Sequence, residues 1–137
     1  MRLITLVAAL LLQSPIALAC GYCIEDKIAT VYDHAVVTSA LTAKHSIAFF
    51  AIDGALAMTD QQRQTIERLV RLSRGIDPGS ARISVESAAL SIAFDPARVS
   101  LEDVHRSLQH NFARKHLSLQ LLRVMDTPAE LKTVPGL

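Results

Sequence analysis

The sequence predicts an α+β domain in which a four-stranded antiparallel sheet carries two helices on one face. Residues 81–94 and 117–122 place apolar side chains at period two, which is typical of strands. After Thr59 and after Ser100, apolar residues instead recur every three or four positions, which is typical of helices that bury one side. Glycine and proline turn signals separate these segments. Strands and helices are therefore expected in alternation.

An additional helix is predicted before this domain, from Cys23 to about Ala40. Its apolar residues recur at three- and four-residue intervals: Ile24, Ile28, Val31, Ala35 and Val36. Glu25 and Asp26 in its first turn suit the positive end of the helix dipole. This helix forms most of an N-terminal segment, residues 20–45.

The domain itself is predicted to cover residues 46–125 in the order strand, helix, strand, strand, helix, strand. The expected elements are strand Ile47–Ile52, a helix from Thr59 that stops at Gly75, strands Ala81–Glu86 and Ala88–Phe94, a helix from Ser100, and strand Leu117–Leu122. Ser100 and Asp103 have the spacing of a helix N-cap. This βαββαβ order predicts a ferredoxin-like, two-layer fold, followed by a tail over residues 126–137.

The first nineteen residues have the pattern of a signal peptide. Arg2 supplies a positive start, Leu3–Leu12 is almost entirely apolar, and Ala17-Leu18-Ala19 provides a small-x-small cleavage site. The apolar stretch is shorter than the roughly 20 residues that a membrane-spanning helix needs. We therefore expect an exported, periplasmic protein without a membrane span.

Both cysteines of the chain follow this predicted cleavage site directly, in the sequence Cys20-Gly21-Tyr22-Cys23. Two thiolates suffice to bind a soft ion such as Cu(I), and they also suit Zn(II). A helix N-terminus lowers the pKa of a cysteine and so favours the metal-binding thiolate. Cys20 and Cys23 are therefore the predicted metal ligands, and a metal ion is the predicted partner.

Other interpretations of the cysteine pair stay open. Cys-Gly-Tyr-Cys at a helix start resembles the active site of periplasmic disulfide isomerases, although no strand precedes it. The two thiols could instead form a structural disulfide, since exported thiols oxidise by default. Cys20 directly after Ala19 also resembles a lipoprotein processing site, in which a lipid anchor would occupy the Cys20 sulfur.

Charge and motifs exclude several other classes of function. The chain has 14 Lys and Arg against 13 Asp and Glu, and loss of Arg2 with the leader leaves 13 against 13. Nucleic-acid binding, which needs a basic excess, is therefore not expected. No Ser/His/Asp triad or glycine-rich phosphate loop can be assembled, so no enzyme is predicted.

The histidines are weaker candidates for metal ligands than the two cysteines. His34 lies about 16 Å from Cys23 along an unbroken helix, too far for a shared ion. His45 could return to the cysteines from the linker, or a second chain could add a ligand. Surface positions explain the five histidines more simply, His105, His110 and His116 included.

Residues 46–125 resemble the heavy-metal-associated domain of copper chaperones and metal-pumping ATPases. The resemblance rests on Gly54 through Met58-Thr59, on Ile66-Glu67, on Gly75-Ile76 and most closely on the segment from Ile92 to Val104. It implies a ferredoxin-like fold, a role in binding soft metals, and a core position for Met58 rather than a role as a metal ligand.

This chain differs from the family at the positions of the metal ligands. The family holds its metal with a Cys-x-x-Cys pair just after the methionine, whereas this chain has Thr59 and Gln62, or Asp60 and Arg63, at those positions. Neither pair offers the sulfur ligands that Cu(I) prefers. Thr59-x-x-Gln62 resembles a capping box instead. The alternative function is a metal-free interaction module that pairs through its open sheet face or edge, with another periplasmic protein as the candidate partner.

Overall fold

A computed structural model describes the backbone of residues 19–126 and the side chains of residues 24–126. The predicted leader, apart from Ala19, and the tail beyond Asp126 lie outside the described residues. The elements are α1 (Ala19–Val31), α2 (His34–Thr42), β1 (Ser46–Asp53), α3 (Asp60–Arg71), β2 (Arg82–Ser84), β3 (Ala89–Phe94), α4 (Leu101–Ala113) and β4 (Ser118–Met125). Among these residues no helix is both long and apolar enough to cross a membrane.

The four strands form one antiparallel sheet in the order β2-β3-β1-β4. The central strand β1 pairs with β3 from Ser46 opposite Phe94 to Ala51 opposite Ala89. This order and the βαββαβ connectivity of residues 46–125 define the ferredoxin-like fold, so the predicted fold class is confirmed.

Helices α3 and α4 pack on one face of the sheet, which we call the α3/α4 face. Its core consists of alternate residues of the strands and the inner stripes of both helices, including Phe50, Ile66, Ile92, Leu108 and Phe112. Both helices begin at the predicted residues. Thr59 accepts a hydrogen bond from the Gln62 amide at 3.1 Å, and Ser100 accepts one from the Asp103 amide at 3.1 Å.

The N-terminal helices α1 and α2 cover the opposite face, which we call the α1/α2 face. They bury a second core that includes Ile28, Val37, Leu41, Ile47, Phe49 and Met125. The sequence predicted the extra helix but not this third layer. The alternative of an interaction module assumed that one sheet face is open. That assumption is wrong, because α1 and α2 cover this face in the described chain. The sequence signal for a covered second face was strand β1, which is apolar on both sides and is buried from Ser46 to Ile52.

The prediction of a single helix from Cys23 to Ala40 is wrong. Tyr32 and Asp33 are not helical and separate α1 from α2. Asp33 caps α2 by accepting a hydrogen bond from the Val36 amide at 3.1 Å. The break therefore gives α2 its own start and lets it take a new direction across the sheet.

Strand β4 also departs from its prediction. Phe50 lies opposite Leu121 and Phe49 opposite Arg123, so Leu122 is an extra residue in β4. Such a bulge interrupts the alternation of inward and outward side chains. Leu117 and Leu119 are buried as expected, but Leu121 is 37% exposed.

Candidate functional site

Helix α1 carries the predicted metal ligands and crosses the sheet obliquely to the strands. Glu25 forms an ion pair with Arg123 on the edge strand β4, whereas Val31, at the other end of α1, accepts a hydrogen bond from Ser91 of β3 at 2.8 Å. The helix thus runs from the β4 edge towards the interior of the sheet. Glu25, two residues after Cys23, is the first residue of α1 whose contact places it on the β4 side.

The thiol groups of Cys20 and Cys23 lie outside the described side chains. What the structure describes is the helix that carries them. If the leader is removed after Ala19, as the sequence predicts, the backbone amides of the first turn would have no partners within the helix and would hold a partial positive charge. Such a setting would favour thiolate over thiol for a cysteine placed there.

Helix α1 is fixed to the sheet by apolar and polar contacts. Ile28 is 1% exposed and packs in the core of the α1/α2 face. The Lys27 ammonium donates to the carbonyl oxygen of Ser87, in the turn between β2 and β3, and lies 3.4 Å from that of Ala88. These contacts fix the part of α1 from Glu25 onward to the domain.

The junction between α1 and α2 contains two residues with shifted pKa values. The side-chain hydrogen bond from Arg82, at 2.8 Å, is the largest cause that lowers the pKa of Asp33, and the Val36 amide adds to it. Burial raises the pKa of Tyr32. The Tyr32 hydroxyl is buried and has no hydrogen-bond partner within the described part of the chain. The carboxylate of Asp33 links the start of α2 to strand β2.

The loop that resembles the family's metal loop is polar and exposed here. The Thr59 hydroxyl is engaged in capping α3, and Arg63 contacts Glu86 at 3.2 Å. The prediction that Met58 packs in the core is wrong, because Met58 is 72% exposed. Leu56 packs against the core from this loop instead, so the chain turns Met58 outward.

His45 does not return towards the cysteines. Its Nδ1 lies 2.6 Å from Asp77 and its Nε2 lies 3.8 Å from Asp95. Both aspartates belong to loops at the end of the sheet where β1 begins. His34 is exposed, and its Nε2 lies 3.5 Å from the Thr38 hydroxyl oxygen of the same helix. The expectation of a solvated surface residue thus fits His34 but not His45.

The remaining histidines divide in the same way. His110 and His116 are exposed, as predicted. His105 is partly buried, donates from Nε2 to the Leu119 carbonyl at 3.1 Å, and stacks against Phe50 with ring centroids 5.2 Å apart. The surface position predicted for His105 is therefore wrong. Over side chains 24–126, no group of three or more His, Cys, Asp and Glu residues is arranged to hold a metal ion.

A cavity of about 620 Å³ lies between α3 and the edge strand β2, and we call it the α3–β2 groove. Apolar side chains, among them Val70, Ile76 and Ile83, line it together with charged residues of α3. The sequence analysis missed this groove. The only signal was the spacing of Arg63, Glu67 and Arg71, which places three charges on one side of a helix.

No protein-family model and no curated protein matches the chain. Three solved structures have a similar fold. Oxidized MerP from Ralstonia metallidurans CH34 is 13% identical, with a TM-score of 0.46, over 58% of this chain and 99% of its own. A copper binding domain from HMA7, a P-type ATPase, is 16% identical, with a TM-score of 0.44, over 58% and 96%. A ZiaAN sub mutant is 20% identical, with a TM-score of 0.41, over 55% and 94%.

These structural neighbours are heavy-metal-associated domains, the family that the sequence resembles. At such identities the similarity concerns the fold alone.

Proposed function

We propose that this chain is exported and binds or carries a soft metal ion, Cu(I) or Zn(II), through the thiolates of Cys20 and Cys23. The observation that supports the proposal most is the position of α1. This helix, described from Ala19 onward, carries both cysteines and is held against the sheet by Ile28 and by the ion pair of Glu25 with Arg123.

The proposed chemistry follows from ligand type and helix geometry. Two thiolates can bind Cu(I) in a near-linear arrangement, whereas Zn(II) would require further donors. Cleavage after Ala19 would release the amino group of Cys20, which is a nitrogen donor next to the first sulfur. The same cleavage would make Cys20 the start of the helix, where the partial positive charge favours the deprotonated ligands.

The domain behind α1 supports the proposal in a second way. Its loop at Met58–Arg63 has the place of a metal loop in the resembling family but carries capping and ion-pairing side chains. A metal role for this chain would thus use the N-terminal cysteines. The ion would be passed to or from another periplasmic protein, and we propose no enzymatic reaction.

The experiment is metal retention by the exported protein. Reduced protein beginning at Cys20 is loaded anaerobically with Cu(I) or with Zn(II), passed over a desalting column, and analysed for bound metal. We expect one ion per chain, or one ion per two chains if copies share it. Cys20→Ser combined with Cys23→Ser should abolish retention.

His45→Asn is the matched control, because His45 is the histidine that the sequence offered as an additional ligand and it contacts Asp77 instead. It should retain metal like the wild type. Equal retention by the double cysteine variant would contradict the proposal. Intact mass of the exported protein, with and without thiol alkylation, distinguishes free thiols from a disulfide or an acylated Cys20. Turnover of disulfide substrates without metal retention would indicate the redox alternative.

A further inference from the structure

We propose that the α3–β2 groove binds an extended peptide segment of a partner protein, which adds to the edge of β2 and presents acidic, basic and acidic side chains at alternate positions. This proposal does not depend on the metal site. It names both the surface and the charge pattern that the surface recognises.

Strand β2 offers the backbone part of such a site. It pairs with β3 on one side and forms one edge of the sheet over the described residues. An extended peptide can continue a sheet at an edge of this kind through main-chain hydrogen bonds. Ile83 of β2 and Val70 of α3 line the groove beside that edge, where they would contact apolar side chains of the peptide.

The edge of the sheet at β4 is less accessible to strand addition than the edge at β2. Helix α4 covers β4 at Leu119, whose amide donates to Gln109 at 2.8 Å and whose carbonyl accepts from His105 at 3.1 Å. The extra residue Leu122 then distorts the strand further along. Capped backbone groups and bulges are devices that prevent pairing at an edge, and a short edge strand is another. Strand β2 has 3 residues, so main-chain pairing with a peptide would be limited to that length, but β2 pairs with β3 without a bulge.

The wall of the groove opposite β2 carries a repeating charge pattern. Arg63, Glu67 and Arg71 follow one another at intervals of four residues along α3, which separates them by about 6 Å each. Alternate side chains of an extended peptide are separated by about 6.6 Å. A peptide that pairs with the 3 residues of β2 and continues alongside α3 would place every second side chain opposite one charge of the helix. Acid, base and acid are the complementary sequence.

These three charges are only weakly engaged within the chain. Arg71 and Glu67 are 3.9 Å apart, and their side chains are 69% and 45% exposed. Arg63 contacts the exposed Glu86 at 3.2 Å. Exposed pairs of this kind contribute little to stability and can exchange partners.

Arg82, at the rim of the groove, has a different role. It donates to Asp33 and to the carbonyl oxygens of Gly79 and Ala81, at 2.8 to 3.0 Å. These bonds hold β2 and the preceding turn against α2. Arg82 therefore shapes the groove, whereas the charges of α3 are available to a ligand.

The test uses two short synthetic peptides with Val at odd positions. One carries Glu, Lys and Glu at the three even positions, and the other carries Lys, Glu and Lys. Binding of each fluorescently labelled peptide to the reduced exported chain is measured by anisotropy. We expect the Glu-Lys-Glu peptide to bind about tenfold more tightly, because its three charged side chains face opposite charges on α3, whereas those of the Lys-Glu-Lys peptide face like charges.

A charge-swapped protein makes the test specific. Arg63→Glu, Glu67→Arg and Arg71→Glu together keep opposite charges at four-residue spacing, so α3 should keep its helicity by circular dichroism. In this variant we expect the Lys-Glu-Lys peptide to bind more tightly. Arg68→Glu, an exposed charge of α3 outside the groove lining, is the control and should keep the wild-type preference.

Three results would overturn the proposal. Equal binding of the two peptides would show that the charges of α3 do not select a ligand. A preference that does not invert in the folded charge-swapped variant would place the binding elsewhere. Peptide binding that appears only after removal of residues 127–137, or only in a monomer separated from an oligomer, would assign the groove to the chain itself.

Discussion

The two faces of the sheet are covered by helices that depend on different kinds of information. On the α3/α4 face, both helices have a strong apolar stripe and a side-chain cap supplied by the residue just before the helix, Thr59 or Ser100. On the α1/α2 face, the helices are fixed by partners far away in the sequence, as in the ion pair of Glu25 with Arg123. The first layer is thus encoded locally and the second depends on the finished sheet.

The largest expected effect compares two neighbouring phenylalanines of β1. Phe50 points into the α3/α4 core and Phe49 into the α1/α2 core, and both are fully buried. Phe50→Ala and Phe49→Ala should each lower the free energy of unfolding by about 3–5 kcal/mol in urea titrations. Hydrogen exchange should then separate them. Phe49→Ala should expose the amides of α1 and α2 while those of α3 and α4 stay protected.

Equal loss of protection on both faces in Phe49→Ala would show that the layers unfold as one unit. The difference between the faces would then have no energetic counterpart.

A smaller effect is expected from the caps of the two faces. Ser91→Ala removes the donor to the buried end of α1 and leaves the Val31 carbonyl without this partner. We expect a loss of about 1–3 kcal/mol of unfolding free energy. Ser100→Ala, at the exposed start of α4, should cost about 1 kcal/mol. Thermal unfolding measures both, and a cost for Ser100→Ala above that for Ser91→Ala would contradict this ranking.

The smallest effect concerns pH. The hydrogen bond from Arg82 is the main cause that holds the pKa of Asp33 below its ordinary value in the folded chain. The charged form therefore stabilises the fold above the unfolded pKa, and this contribution is lost as the pH falls through the folded pKa. Asp33→Asn keeps a capping side chain but removes the charge.

We therefore expect the wild type to exceed Asp33→Asn in stability, by up to about 1 kcal/mol, near neutral pH. The difference should shrink below about pH 4. Urea titrations at several pH values measure it. A difference that does not change with pH would assign the role of Asp33 to capping alone.

The sequence predicted most of the domain because its signals are local. The spacing of apolar residues after Thr59 and Ser100, together with their caps, sufficed for α3 and α4. The prediction failed at Tyr32 and Asp33, because the apolar spacing continues through these two non-helical residues. Arg82 of β2, far away in the sequence, stabilises this interruption of the helix through its hydrogen bond to Asp33. The prediction failed again at Met58, because the choice between Met58 and Leu56 as the buried residue depends on the path of a loop.

The candidate sites show the same limit. Cys20 and Cys23 could be named from the sequence because their chemistry is unusual and their spacing is short. The α3–β2 groove could not, since it forms only when Ile83 and Val70 meet from separate elements.

The sequence by itself determined the order of strands and helices, the caps of α3 and α4, and hence the ferredoxin-like class. Periodicity and capping act over a few residues and can be recognised there. The tertiary structure decided which face α1 and α2 cover, where the long N-terminal helix breaks, and which sheet edge stays open. These outcomes depend on burial and pairing between residues far apart in the chain, and local patterns carry no information about them.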